Sequence, residues 1–301
     1  MDERRSHRAN PYGDHPESAC EWLPLPQSRI ELTGSAIPEG DMEDIAVLAA
    51  AVLADDREKR GVEAPPAAPA SSASSSVSSS PSSSSRPAKR QRVEAPPAGG
   101  PGSVAVVVCF RDLHAEQKRG EHLKQFVPYM EKYFAQAVGA GLCTDFKVYI
   151  VQQSDDGRKF NRGKLLNIGY DLAKKEGRSV FVFHDVDLLP SPELLPNYCK
   201  VPAEGRPVHI AKIWERYNEN DDYVGGIVAW NGGDYEAING FPNNYWGWGG
   251  EDDEMMRRCK SKWGKEFRMA APKAGSITDL EDMALDEKLA FLKGHKDWKV
   301  S

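Results

Sequence analysis

Two short stretches of the chain carry residue types that could do chemistry together. The first is His184-Asp185-Val186-Asp187-Leu188, which follows directly on the apolar run Val180-Phe-Val-Phe183. Two carboxylates at i and i+2, at the carboxyl end of a strand, offer hard oxygen ligands. One can reach a divalent ion while the other orients a sugar or a water on that ion. The second stretch is Asn239-Gly-Phe-Pro-Asn-Asn-Tyr-Trp-Gly-Trp-Gly-Gly-Glu-Asp-Asp-Glu254. Glycine at that density opposes a regular helix or strand, so Tyr245, Trp246 and Trp248 are expected on a loop, with flat faces against which a pyranose can stack. Glu251 and Asp252 follow at the start of the next helix. Asp253 and Glu254 also suit a helix N-terminus, where carboxylates are stabilised by the peptide dipoles.

The elements that must position these residues are legible in the apolar pattern. Val104 to Phe110 is a continuous apolar run, the signature of a strand covered on both faces. Leu123, Phe126, Val127, Met130, Tyr133 and Phe134 follow at helical spacing, and Phe146 to Val151 reads as a second strand. Leu165, Ile168, Gly169 and Leu172 mark a second helix, and residues 179–184 a third strand. This alternation predicts an α/β domain over residues 103–301, a parallel sheet with helices on both faces. Ligands bind such sheets beyond the carboxyl ends of the strands.

The rest of the chain differs in kind. Residues 1–40 are polar and proline-punctuated and read as a disordered N-terminal arm. In residues 61–102, a Ser/Pro/Ala-rich linker, 12 of the 15 residues from Ser71 to Ser85 are serine. Neither buries enough apolar surface to offset chain entropy. Between them, Ile45, Leu48 and Val52 sit at helical spacing and predict a short helix within residues 41–60. The residues up to Gly102 hold 11 Lys+Arg and 15 Asp+Glu, those after it 28 and 30. A near-neutral domain without a basic stripe argues against nucleic acid as a partner. No apolar run approaches the ~18 residues of a membrane span, so no transmembrane anchor is visible. Five scattered cysteines without a CxxC pair, and no Asn-x-Ser/Thr acceptor, point to a reducing, cytoplasmic or nuclear compartment. Lys89-Arg-Gln-Arg92 has the form of a short basic import signal.

Against these residues a resemblance stands out. Phe241-Pro-Asn-Asn-Tyr-Trp-Gly-Trp-Gly-Gly-Glu-Asp-Asp253 resembles the hallmark of the beta-1,4-galactosyltransferase family, and Phe181-Val-Phe-His-Asp-Val-Asp-Leu188 resembles its metal motif. Phe110-Arg111-Asp112, with Glu121-His-Leu-Lys124, and Phe160-Asn-Arg-Gly-Lys-Leu-Leu-Asn167 resemble its nucleotide-binding segments, in the same order. The resemblance implies a GT-A-like mixed, mostly parallel sheet with flanking helices, a UDP-sugar donor, a carbohydrate acceptor and Mn2+, with Mg2+ as an alternative. It implies a Golgi setting, in contrast to the compartment read from composition.

Carried over residue by residue, the resemblance puts Phe110, Arg111 and Arg162 on the nucleotide. Asp185 and Val186 stand on the donor side and Asp187 on the metal. Trp248 would close over the donor sugar, and Tyr223 is the position that influences which sugar fits. Tyr245, Trp246, Glu251 and Asp252 would hold the acceptor, with Asp252 and Glu251 catalytic. The family's further metal-binding histidine is missing from Ile277-Thr-Asp-Leu-Glu-Asp-Met283, which leaves Asp279, Glu281 or Asp282 to substitute. Cys199 resembles one half of a family disulfide whose other half would fall near Val180. The expected activity is metal-dependent inverting transfer of galactose from UDP-galactose to a sugar hydroxyl of a glycan. A UDP-N-acetylhexosamine transferase and a catalytically silent sugar- or nucleotide-binding module are the alternatives.

Overall fold

The computed structural model describes residues 45–50, 100–155 and 157–295. Its strands are β1 Ile45–Ala50, β2 Ser103–Phe110, β3 Asp145–Gln153, β4 Val180–His184, β5 Leu188–Pro190, β6 Val208–His209, β7 Ile227–Asn231 and β8 Ile277–Asp279. Its helices are α1 Arg119–Gly139, α2 Arg162–Lys175, α3 Leu195–Cys199, α4 Glu215–Asn218, α5 Gly232–Ala237, α6 Glu251–Trp263 and α7 Leu285–Gly294. One sheet has the order β1-β3-β2-β4-β7-β6, and β5 pairs with β8 in a second, two-stranded sheet. β1, β3, β2 and β4 run parallel, whereas β7 is antiparallel to β4 and β6 to β7. The mixed, mostly parallel sheet with flanking helices is the expected fold class.

The apolar runs explain the layering. Side chains alternate faces along a strand. Val104, Val106, Val108 and Phe110 of β2 therefore pack with Leu123, Phe126, Met130 and Phe134 of α1. Ala105, Val107 and Cys109 pack on the opposite face with Leu165, Leu166, Tyr170 and Ala173 of α2. A strand buried on both faces has no solvent side to keep polar, which is why the sequence reads as unbroken Val-Ala-Val-Val-Val. Because β3 and β4 flank β2, the chain crosses β2 between them, and the carboxyl ends Phe110, Gln153 and His184 lie along one edge. A crevice is expected at that reversal of strand order.

The short helix expected within residues 41–60 is corrected: residues 45–50 form β1, paired in parallel with β3 from Ile45↔Val148 to Ala50↔Gln153. Ile-Ala-Val-Leu-Ala-Ala is uniformly apolar, so its period is ambiguous, and an open strand edge decides it. The remainder of that span, the expected disordered arm and most of the expected linker lie outside the described residues. Among the described residues no helix is long and apolar enough to cross a membrane. Cys199 is a free, buried thiol, and the free, buried thiol of Cys143 is its neighbour.

Gly169 sets the distance between α2 and the sheet. A Cβ there would stand 2.2 Å from Val107 Cγ1 and 3.0 Å from Val151 Cγ2. Gly169→Ala opposes two effects. Helix propensity favours alanine by roughly 1 kcal/mol, while overpacking a filled core costs about 1–3 kcal/mol. At 2.2 Å the clash wins, and the variant is expected to be less stable by about 1 kcal/mol or more, as a lower urea midpoint at unchanged slope. A raised midpoint would show that α2 can lift off the sheet freely.

Candidate active site

Three segments converge beyond the carboxyl ends of β2, β3 and β4. The first is the turn after β4. Asp185 N–H donates to the Gly226 carbonyl at 3.1 Å, tying the Asp185-Val-Asp187 turn to the segment that enters β7. His184, at the end of β4, is fully buried; one ring nitrogen meets the Asp185 carbonyl at 2.8 Å and the other the Tyr198 hydroxyl at 2.9 Å. Burial pushes its pKa down to about 4, so the ring is neutral and both nitrogens are engaged.

The second segment is the N-terminus of α2. Asn161 caps the helix by accepting from Lys164 N–H at 2.9 Å and reaches the Asn243 carbonyl with its own amide at 2.8 Å. One turn on, the buried Asn167 amide donates to the Phe241 carbonyl at 2.8 Å and to Asn243 Oδ1 at 2.9 Å, while its oxygen accepts from the Tyr235 hydroxyl and Phe241 N–H. The two asparagines thus clamp the start of the third segment, the aromatic loop of residues 239–250, onto α2. Gly247 N–H closes the far end on the Phe160 carbonyl at 2.7 Å.

Between these clamps sits Arg162, the first residue of α2. Its guanidinium donates to Asp185 Oδ1 from Nε at 3.1 Å and Nη2 at 3.0 Å, and to Asp252 Oδ1 from Nη1 at 3.0 Å. Glu251 Oε1 lies 3.8 Å from the same Nη1. Burial raises the pKa of Glu251 to about 8, with the neighbouring Asp252 charge adding to the effect. Burial also raises Asp252, opposed by the Arg162 cation. Both adjacent carboxyls are therefore raised, and Asp252 is the one with the Arg162 guanidinium in hydrogen-bond contact to favour its ionised form. Tyr223 approaches from the other side: a Cβ built on Gly225 would lie 2.1 Å from the Tyr223 hydroxyl and 2.8 Å from Asp252 Oδ2.

A second group of carboxylates lies beside the first. Asp187, Asp279 and Glu281 place ligand oxygens within 4.8 Å of one another. The β5–β8 pairing brings Asp279 opposite Leu188, and Leu280 N–H donates to the Asp187 carbonyl at 2.7 Å. Of the three expected substitutes for the missing histidine, Asp279 and Glu281 join Asp187, whereas Asp282 is exposed and outside the group. His295, beyond α7, is also outside it; its ring meets the Phe291 carbonyl. Three oxygen donors of this kind fit a hard divalent cation such as Mn2+ or Mg2+. Basic residues balance them: Arg119 reaches Asp187 Oδ2 at 2.6 Å and Glu281 Oε1 at 2.8 Å, Arg216 reaches Asp279 Oδ2 at 3.0 Å, and Lys288 contacts Glu281. Arg119, Arg216 and Lys288 escaped the sequence reading, because nothing local to each marks its distant partner.

The other expected site residues are distributed around this centre. A pocket of about 200 Å³ at the ends of β2 and β3 is lined by Arg111, Asp112, Leu113, Gln152, Gln153, Ser154 and Asp155. Arg111 donates to the Arg158 carbonyl at 2.7 Å and lies over the Phe160 ring. Phe110 is in the core with α1, and Val186 is buried there too. Trp246 packs against the α2 face of the core, under Arg158 and Lys164. Tyr245 lies against Gly250, and Trp248 is exposed between Gly247 and Gly249, whose φ values of 108° and 103° few other residues adopt.

Two family-level sequence models match this chain. One, described as the N-terminal region of glycosyl transferase group 7, covers residues 85–200; the other, described as the N-terminal domain of galactosyltransferase, covers residues 205–282. Beta-1,4-galactosyltransferase 1 of Mus musculus is 37% identical over 166 residues, 54% of this chain and 38% of that protein. Beta-1,4-galactosyltransferase 7 of Mus musculus is 34% identical over 208 residues, 67% of this chain and 58% of that protein. The chain thus spans between about two fifths and three fifths of the length of these relatives. Among solved structures, the catalytic domain of Drosophila beta1,4galactosyltransferase 7 in complex with xylobiose is 33% identical, with a TM-score of 0.46, covering 57% of this chain and 66% of that one. The two family matches abut across the carboxylate centre, one carrying Arg119, Arg162, Asp185 and Asp187, the other Tyr223, Glu251, Asp252, Asp279 and Glu281. The chain belongs to the glycosyl transferase group 7 family, that of the beta-1,4-galactosyltransferases.

Proposed function

We propose that this protein is a metal-dependent inverting glycosyltransferase that moves galactose from UDP-galactose to a hydroxyl of a carbohydrate acceptor. The observation that carries the reading is the Arg162 bridge, which holds Asp185 of the donor-side turn and Asp252 of the loop–helix junction on one guanidinium. A transferase needs its leaving group and its base on opposite sides of one sugar carbon, and a single rigid cation between the two carboxylates fixes that spacing. Family membership supports the same reaction class, and the resemblance puts Tyr223 at the position that influences which sugar fits.

The roles follow from the local chemistry. The pocket between Arg111 and Asp155 suits the nucleoside, at the strand ends where α/β sheets take nucleotides. A divalent cation held by Asp187, Asp279 and Glu281 would neutralise charge gathering on the departing diphosphate. Asp252, raised by burial into the range of a useful base and held by Arg162, accepts the proton of the attacking hydroxyl. Glu251, protonated near neutrality, donates a hydrogen bond to the acceptor, so the two carboxyls divide the work. Trp248, exposed on its glycine-flanked loop, is placed to cover the donor sugar and exclude water.

Two measurements test this. With Mn2+, UDP-galactose and simple sugar acceptors, Asp252→Asn should lower kcat by about 10²–10⁴-fold with UDP affinity retained; near-parental turnover would remove Asp252 from the base role. The kcat/KM profile should show an acid limb above the usual Asp pKa of 3.8, since burial raises Asp252. The Arg162 cation favours the ionised form, so Arg162→Met should move that limb to higher pH. A limb that stays in place would assign it to another group.

A further inference from the structure

Gly225 and Gly226, between Tyr223 and β7, form a floor under the reacting groups. A Cβ built on Gly225 would stand 2.1 Å from the Tyr223 hydroxyl and 2.8 Å from Asp252 Oδ2, and one built on Gly226 would stand 3.0 Å from Tyr217 Cε2. The close approach explains why side chains are absent there, but it also makes the floor permissive. Gly226 has a φ of 82°, and adjacent glycines lose more conformational freedom on ordering than other residues do. Whatever fastens this backbone also fastens the groups that rest on it.

The Gly226 carbonyl accepts from Asp185 N–H at 3.1 Å, which ties it to the donor-side turn. The Gly225 carbonyl accepts from Ile227 N–H at 3.2 Å, a contact within the same turn that cannot anchor the peptide to the rest of the fold. Its outside partner is a side chain: His209 Nε2 lies 2.8 Å from that carbonyl. β6 delivers this ring. His209 pairs with Val228 of β7, donates its N–H to the Ala270 carbonyl at 2.8 Å, and is 2% exposed. A carbonyl oxygen only accepts, so Nε2 carries the proton. Burial pushes the pKa of the ring down to about 4, which keeps it neutral where the enzyme would work. The ring also stacks on Tyr217, with centroids 6.1 Å apart, and Tyr217 in turn lies 4.7 Å from Tyr223. With Nε2 committed to a carbonyl, His209 has no part in the proton transfers assigned to Asp252 and Glu251.

We propose that His209 is a positioning residue for the transfer: its Nε2–H bond to the Gly225 carbonyl fixes the glycine floor, and through it the Asp252 carboxylate and the Tyr223 hydroxyl. The donor-side turn is tied to the same floor at Gly226, so the base and the donor side share one support. Without the ring donor, the Gly225 peptide can turn, and Asp252 loses the surface that sets its distance from the donor-side turn. The proposal rests on the reading of Asp252 as the base of a galactosyl transfer.

The test compares three variants of the full chain. His209→Gln can place an amide N–H near the position of Nε2, His209→Asn carries the same amide too short to reach Gly225, and His209→Leu has no donor. Turnover is measured with Mn2+, UDP-galactose and xylobiose, glucose or N-acetylglucosamine as acceptor probes, in each variant alone and combined with Asp252→Asn. UDP binding, followed alongside, reports that each protein is folded, and if His209→Leu does not fold the Gln–Asn contrast decides. His209→Asn and His209→Leu should lower kcat by about 10- to 100-fold, the loss expected when a reacting group is misplaced by about 1 Å. KM for UDP-galactose should stay within about 3-fold, because a group that only positions the base acts on kcat. His209→Gln should recover most of the turnover. In the Asp252→Asn background, His209→Asn should cost less than about 2-fold of the residual turnover, since residues that act through one another are not additive. A wild type without turnover, or near-parental turnover in Asp252→Asn, overturns the base reading and this proposal with it. Where Asp252→Asn does lose turnover, three results each overturn the positioning proposal alone: parental kcat in His209→Asn, a His209→Gln as slow as His209→Asn, or a His209→Asn loss undiminished in the Asp252→Asn background.

Discussion

The site is organised by one electrostatic requirement: carboxylates brought together in partly buried surroundings must be neutralised where they stand. Removing a charge from water costs several kcal/mol unless a partner is in place. Arg162 and Arg119 answer this in the same way. Each opens the helix that follows a parallel strand, α2 after β3 and α1 after β2, and each forks across two carboxylates from different parts of the chain. A parallel α/β sheet directs such helix starts to one edge, so the fold delivers two guanidinium groups to the crevice that its strand order creates.

Rigidity comes from neutral groups around this charged centre. Asn161 and Asn167, both buried, meet backbone and side-chain partners in the aromatic loop, with Tyr235 completing the Asn167 set. Leaving any of these amides unpartnered would cost about 1–3 kcal/mol, so the loop has one favoured seat on α2. Exposed Trp248 and its flanking glycines lie beyond the asparagine bonds, with Gly247 N–H on the Phe160 carbonyl at 2.7 Å. The loop is therefore fixed at both ends, and its exposed indole is the part presented to solvent.

Much of this was legible in the sequence, for identifiable reasons. β2, β3 and β4 announce themselves because burial on both faces leaves unbroken apolar runs. Asp185, Asp187, Glu251 and Asp252 do so because glycine, aromatic and acidic residues rarely coincide without a site. β1 was misread because Ile45–Ala50 has no polar residues to reveal a period, and the edge of β3 decides its conformation. The cations around the second carboxylate group were invisible for a different reason. Arg119 is 68 residues from Asp187 and 162 from Glu281, and Arg216 is 63 from Asp279. Pairings over such separations are made by topology, and no local spacing encodes them. Asp279 and Glu281 could be nominated from the sequence, but the β5–β8 pairing was needed to separate them from Asp282.

Gly225 bears on how this gene can drift. Its backbone is outside the left-handed region, so an alanine, reachable by a single base change, meets no conformational objection there. The new methyl group would instead push against the Tyr223 hydroxyl and the Asp252 carboxylate. Such a change would leave both apolar clusters and the Arg111–Asp155 pocket untouched and displace the Tyr223 and Asp252 side chains. Tolerance at position 225 is therefore set by the carboxylate centre and not by the fold around it.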